Sequence, residues 1–144
     1  MIFGNGSWGK TQYLLERSMD TEMVRRKVIA NNIANADVPH FKRSEVTFEA
    51  ELRRALDSER IVKENTVPTR MSHGKHIPFF KSMNYKSVSP KKHLDYLTTM
   101  RNDGNNIDPE KEIQDMLKNQ LRYQALTGML NHNNRVLHTV MRPA

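Results

Sequence analysis

Met116, Tyr123, Leu130 and Leu137 recur at seven-residue intervals near the end of the chain, with Leu126 and Val140 three residues beyond Tyr123 and Leu137. That is the spacing of a helix-packing seam, so the segment is a helix that buries one side against another helix. Ile113, Leu117, Leu121, Ala125 and Met129 add a second ridge at steps of four. A helix with two apolar ridges needs more partner than a single neighbour supplies, or else belongs to an ordinary small bundle; periodicity alone does not separate the two. The start of this helix is legible: Asp108 is placed to cap the free amides, Pro109 suits the first helical position, and Glu110 and Glu112 complement the positive end of the helix dipole.

A partner of similar length lies at the other end. From Thr11 to Ala34 there is neither Pro nor Gly, and Leu15, Met19, Met23, Ala30 and Ile33 share one side while Leu14, Val24 and Val28 share another. Asn35-Ala36-Asp37-Val38-Pro39 ends this helix, because the residue before a proline is pushed out of the helical region. Val46 to Leu56 reads as an extended lead-in and a short helix through Phe48, Leu52 and Leu56. Beyond Arg60, Pro68, Gly74, Pro78 and Pro90 interrupt every candidate run, so loops with room for one hairpin and considerable mobility are expected. Asp103-Gly104-Asn105-Asn106 is a turn into the last helix. The expected fold is therefore mainly α: long N- and C-terminal helices pairing as a coiled-coil-like bundle, with a short helix and an irregular middle. The expected division is 1–60, 61–104 and 105–144. An apolar share of 37% among 144 residues is low for a compact globule, which favours burial against neighbouring molecules.

Several chemistries are disfavoured. With no cysteine, neither disulfides nor thiolate metal sites can form. The first residues lack a basic region followed by an apolar one, and no run approaches a bilayer-spanning length, so neither a cleaved signal peptide nor membrane insertion is expected. The net charge of +7 suggests a polyanion partner, yet Arg25-Arg26-Lys27, Lys42-Arg43, Arg53-Arg54 and Lys91-Lys92 are scattered among Glu22, Glu45, Glu49 and Glu51. A basic helical nucleic-acid-binding protein is accordingly the runner-up. Gly4-Asn5-Gly6-Ser7-Trp8-Gly9-Lys10-Thr11 fits the phosphate-loop pattern letter for letter, but only Met1-Ile2-Phe3 precede it and no strand is there to present the loop. A flexible tail before a helix is the plainer account. His73 and His76 have chelating spacing without further ligands, and no serine has an activating base, so no catalytic, metal or cofactor-binding residue is expected.

Asn31, Asn32 and Asn35 crowd one helix end, and capping explains Asn35 better than the other two. The run Ala30-Asn31-Asn32-Ile33-Ala34-Asn35, followed by Pro39, Phe41 and Lys42, resembles the N-terminal signature of the bacterial flagellar axial proteins, the rod and hook family. It departs at Val38, where that family usually has Thr or Ser, and at His40, where it usually has Gly. Asn105-Asn106-Ile107-Asp108-Pro109-Glu110-Lys111-Glu112, with Asn119-Gln120-Leu121-Arg122-Tyr123-Gln124-Ala125-Leu126, is similar to the C-terminal signature of its short proximal-rod branch, B type. The resemblance implies a non-enzymatic rod component without cofactors, assembling with itself, other rod proteins and the membrane-ring and rod-base proteins into a torque-bearing tube. It also implies a periplasmic position and delivery by the flagellar type III export apparatus. The expected assembly interface is Asn31, Asn32, Ile33, Asn35, Met116, Tyr123, Leu126, Leu130, Leu137 and Val140.

Overall fold

The computed structural model describes residues 6–64, 73–75 and 81–141. Gly4 and Asn5 of the phosphate-loop pattern, His76 of the histidine pair, and Pro68 and Pro78 of the middle lie outside the described residues. The elements run α1 (Ser7–Ala34), β1 (Ser44–Thr47), α2 (Glu49–Glu64), a 3-10 turn (Tyr85–Ser87), β2 (Lys91–Leu94) and α3 (Pro109–Met141). The chain is mainly helical, and its first and last helices pack on each other as the periodicity anticipates. It divides into two units, one formed by the two chain ends (residues to Val46 and from Lys92) and one by Thr47–Lys91.

In the terminal unit, α1 and α3 have lengths of about 42 and 50 Å at 1.5 Å per residue. They run antiparallel: Asn32 near the end of α1 meets Glu112 in the first turns of α3, and Glu22, ten residues earlier, meets Asn119. The start of α3 is as the local signals require. Asp108 Oδ1 accepts the amides of Glu110 and Lys111, and Glu110 stays exposed beside the helix start. α1 begins earlier than its apolar pattern: Ser7 to Thr11 are already helical, with the Lys10 amide on Gly6 O and the Thr11 hydroxyl on Ser7 O. Trp8-Gly9-Lys10-Thr11 is thus a helical turn and not a phosphate-cradling loop. β1 pairs with β2 in a two-stranded sheet.

The Thr47–Lys91 unit has its own small core. Phe48, Ala55 and Val88 are buried, with Leu52 and Tyr85 packed against them; of the run Phe48, Leu52 and Leu56, the first lies just before α2 and joins this core with Leu52, while Leu56 is half-buried. The helix is longer than that apolar run, reaching Glu64 with the help of i,i+4 Glu59–Lys63 pairing on its surface. Ser58 ties the segment before the 3-10 turn to α2: its hydroxyl donates to Ala55 O at 2.7 Å and accepts the Met83 amide at 2.9 Å.

Candidate assembly interface

The facing side of the helix pair is polar where it is deepest. Glu112 and Asn119 are the buried residues of α3, and Thr21, Glu22, Val28, Ile29 and Asn32 those of α1. They form two reciprocal rungs. In one, Asn32 of α1 donates through Nδ2 to Glu112 Oε2 at 3.1 Å; in the other, Asn119 of α3 donates to Glu22 Oε2 and to Glu22 O at 2.9 Å. Each carboxylate also has its own guanidinium, Arg43 Nε on Glu112 and Arg25 Nη1 on Glu22. Arg43 serves three carboxylates, since it also pairs with Glu45 and, at 3.5 Å, with Asp115. Buried carboxylates without such partners would be strongly destabilising, so each rung holds only with both helices in place.

Asn32 has a second task that explains its burial. Its Nδ2 donates to Ser44 O at 2.9 Å and its Oδ1 accepts the Ser44 amide at 3.1 Å, so one carboxamide imitates a strand neighbour for the start of β1. Asn35 caps: its amide bonds to Asn31 O and Asn32 O, and its Nδ2 donates to Asn31 O at 2.7 Å. Asn31 itself is exposed and contributes its carbonyl, while Ile33 is half-buried. The chain then turns at His40, which takes the left-handed conformation (φ 59°) usual for glycine. Its amide donates to Asp103 O, and its ring lies against Gly104 (φ 79°), where a Cβ would come within 2.9 Å of His40 Nδ1. The tight turn therefore forms with histidine in place, and the room its ring requires is left by a glycine across the unit.

Asn105 and Asn106, which the sequence marks as a turn and as the start of the C-terminal signature, are buried organisers. Asn105 is fully buried; its Nδ2 is shared among the carbonyls of Asn35, Ala36 and Val38 at 3.3, 3.0 and 2.9 Å, while its Oδ1 accepts the Ile107 amide. Asn106 Oδ1 accepts the Arg43 amide, and its Nδ2 donates to Asp95 O and Thr98 Oγ1. The loop after β2 is fixed further by Asp95, whose Oδ2 accepts the Thr98 hydroxyl and whose Oδ1 accepts the Leu97 and Thr98 amides. The Thr98 hydroxyl, with those amides and the nearby Arg43, holds the Asp95 carboxyl below its ordinary range.

Of the expected seam, Tyr123, Leu126, Leu130 and Leu137 are half-buried, and Arg26 lies over the Tyr123 ring at 6.0 Å. Met116 is partly exposed at 38% and Val140 is largely exposed at 78%. The ridge at steps of four faces outward: Ile113, Leu117, Leu121 and Met129 are all exposed. Sequence reasoning missed Glu22, Arg43, Asn105, Asn106 and Asn119, and assigned Glu112 to the helix dipole alone. The available signal was the seven-residue step from Glu112 and Asn119 to Leu126, which places all of them in one series. Among the described residues no group of His, Asp and Glu side chains converges as a metal site, and no described helix is long and apolar enough to cross a membrane.

Comparison with known proteins bears on what this interface serves. Residues 15–42, the span holding both Asn32 and the His40 turn, match the family model described as flagella basal body rod protein. The flagellar basal body rod protein FlgB of Borrelia hermsii is 40% identical over 129 residues, covering 90% of this chain and 93% of that protein. That of Borreliella burgdorferi is 36% identical over 126 residues, 88% and 91% of the two chains, and that of Bacillus subtilis 31% over 128 residues, 88% and 89%.

Proposed function

The chain belongs to the FlgB family of flagellar basal body rod proteins, and is a structural component of the rod and not an enzyme; from that premise we propose that many copies pack through their terminal helices into a tube that carries torque from the membrane ring to the hook. The observation that carries this reading is the outward ridge of α3. Leu117, Leu121 and Met129 remain more than half exposed after α1 and α3 have paired, leaving an apolar face that a neighbour would cover. Unlike surfaces meeting from copy to copy generate an open helical array.

Within this proposal the expected interface residues divide by exposure. Tyr123, Leu126, Leu130 and Leu137, with Asn32, Ile33 and Asn35, hold the helix pair in shape. Met116 and Val140, with the exposed Asn31, lie where another molecule reaches them. Residues 1–60 and 105–144 carry assembly, and 61–104 join them. The neighbours are other copies, other rod proteins and the proteins of the membrane ring and rod base, reached in the periplasm after passage through the flagellar type III export apparatus.

The test is rod completion in cells carrying Leu121→Asp and Val140→Asp together. Both side chains are exposed, so the purified variant keeps the parent's helical circular dichroism, and the charge takes effect only in contact with a neighbour. We expect soluble protein and no complete rods, with Lys91→Asp nearly normal. Normal rods in the double variant, with rods lost in Lys91→Asp, would place the assembling surface in the middle segment.

A further inference from the structure

Asp103-Gly104 is the one Asp-Gly pair in the chain, and it stands where the end of α1 and the start of α3 are held together. An aspartate before glycine carries a built-in side reaction. The glycine has no side chain to shield its amide nitrogen, which attacks the aspartate Cγ with little hindrance. A bond forms between Gly104 N and Asp103 Cγ, and the displaced carboxyl oxygen leaves as water, taking the amide proton and the carboxyl proton. Water then reopens the cyclic imide. Breaking the new N–Cγ bond restores aspartate. Breaking the original bond between Gly104 N and the Asp103 carbonyl carbon leaves isoaspartate, with the chain running through Cβ and Cγ. Composition is unchanged, and the only co-reactant is water.

The fold engages the groups this reaction needs. Gly104 N donates to Arg101 O at 3.1 Å, and Asp103 Oδ1 accepts the Asn105 amide at 3.0 Å, so the attacking amide and the carboxyl group are each tied elsewhere. Asp103 O accepts the His40 amide at 3.0 Å, and in isoaspartate that oxygen belongs to a free carboxylate off the main chain. A longer backbone has no slack here. Gly104 sits under the His40 ring, where even a Cβ would come within 2.9 Å of Nδ1, and Asn105, Asn106 and Ile107 after it are buried. Asn105 reaches Ala36 O and Val38 O from a turn of this length and no other. We propose that Asp103–Gly104 is an isoaspartate-forming site, closed while the His40, Asp103 and Asn105 contacts are made and open once the terminal helices have separated. Isomerisation there prevents the helix pair from closing again. The reaction runs from the opened state, at a rate set by the fraction of molecules that are open. It holds whether or not the rod reading does.

The test is to age full-length protein at neutral pH, folded in buffer and unfolded in urea, and to measure isoaspartate at position 103 by electron-transfer mass spectrometry of its peptides. Peptide position separates this signal from Asn5-Gly6, where loss of ammonia gives the same kind of imide. Isoaspartate should form at least about tenfold faster in urea than in the folded protein. Asn105→Ala leaves Asp103 and Gly104 in place, so its rate in urea should match the parent's, while its rate in buffer should exceed the parent's by about the factor lost in stability. An Asn105→Ala chain too unstable to fold would run at the urea rate in buffer, the limit of the same expectation. Aged chains returned to buffer should divide, those with isoaspartate staying open to protease across α1 and α3 and those with aspartate becoming resistant. Equal rates in urea and buffer, no isoaspartate in either, an Asn105→Ala protein no faster than the parent, or isoaspartate shared evenly between resistant and digested fractions each overturns the proposal.

Discussion

Replacing Asn105 with alanine removes a carboxamide that four backbone groups use. Ala36 O keeps the Arg101 guanidinium at 2.7 Å, Asn35 O keeps the Val38 amide at 3.2 Å and Val38 O only the longer Phe41 amide at 3.4 Å, whereas the Ile107 amide loses its acceptor at 2.8 Å. The Ile107 amide is enclosed, and leaving a buried backbone group unpaired costs about 1–3 kcal/mol. Water entering the vacated volume reaches the Val38 carbonyl, whose residue is 44% exposed, and softens part of the loss. With the weakened bonding of the Val38 carbonyl, the net expectation is a destabilisation of about 2 kcal/mol, roughly thirtyfold in the folding equilibrium. Asn105→Asp sharpens the test. It keeps an acceptor for Ile107 but turns a second carboxylate oxygen towards three carbonyls, so at neutral pH it should be worse than alanine. Burial and those carbonyls raise its folded pKa above its unfolded one. The deficit is therefore full at high pH and shrinks as pH falls through the folded value, where the protonated acid can donate. Urea unfolding followed by far-ultraviolet circular dichroism at several pH values measures both effects, with the exposed Asn102→Ala as control. A cost below about 1 kcal/mol for alanine, or an aspartate milder than alanine at pH 7, would refute the assignment of Asn105 as the organiser of this turn.

Gly104→Ala should cost about 2 kcal/mol, from a positive φ and from contact with the His40 ring; adding His40→Gly should recover a measurable part in thermal unfolding, since one of the two causes is then gone. Thr98→Val removes the hydroxyl donor to Asp95, so the NMR titration midpoint of that carboxyl should rise towards its ordinary value. Because the folded pKa is depressed, the Asp95 contribution is present above the unfolded pKa and fades as pH falls through the folded one; Thr98→Val should flatten that acid-side dependence. Lys10→Ala should leave motility and rods intact and change no nucleotide affinity measurable by calorimetry, because its neighbours form a helical turn.

What could be read in advance was whatever is local in the chain. Asp108-Pro109-Glu110 announces a helix start through groups within three residues of one another, and the proline at 39 ends α1 by steric contact with its own neighbour. The seam through Tyr123, Leu130 and Leu137 is likewise a property of one helix. The polar rungs are not. Asn119 and Glu22 stand 97 residues apart, Glu112 and Asn32 80, and a Glu or Asn taken alone is equally at home on a solvated face. Glu112 was ambiguous in a further way, for its place in the first turns of α3 already gave it a plausible electrostatic role. β2 carries no alternation at all: Lys91, Lys92, His93 and Leu94 are every one exposed, so no pattern marks them as a strand. α1 is longer than foreseen because Gly6 and Gly9 discourage a helical reading, whereas the helix starts at Ser7 with Gly6 as its cap.

That the first helix pairs with the last also fixes an order of events. Thr47–Lys91 can close as soon as its own residues exist, whereas α1 has no partner until synthesis passes Asn119. At 5–20 residues per second, α1 waits about 5–20 s after Glu22 is made. Closing so long a span also carries the largest loop entropy in the chain, so the terminal unit is slow to form. By the same token it can open without disturbing Thr47–Lys91, and a chain caught between the two states presents a folded middle with both arms free.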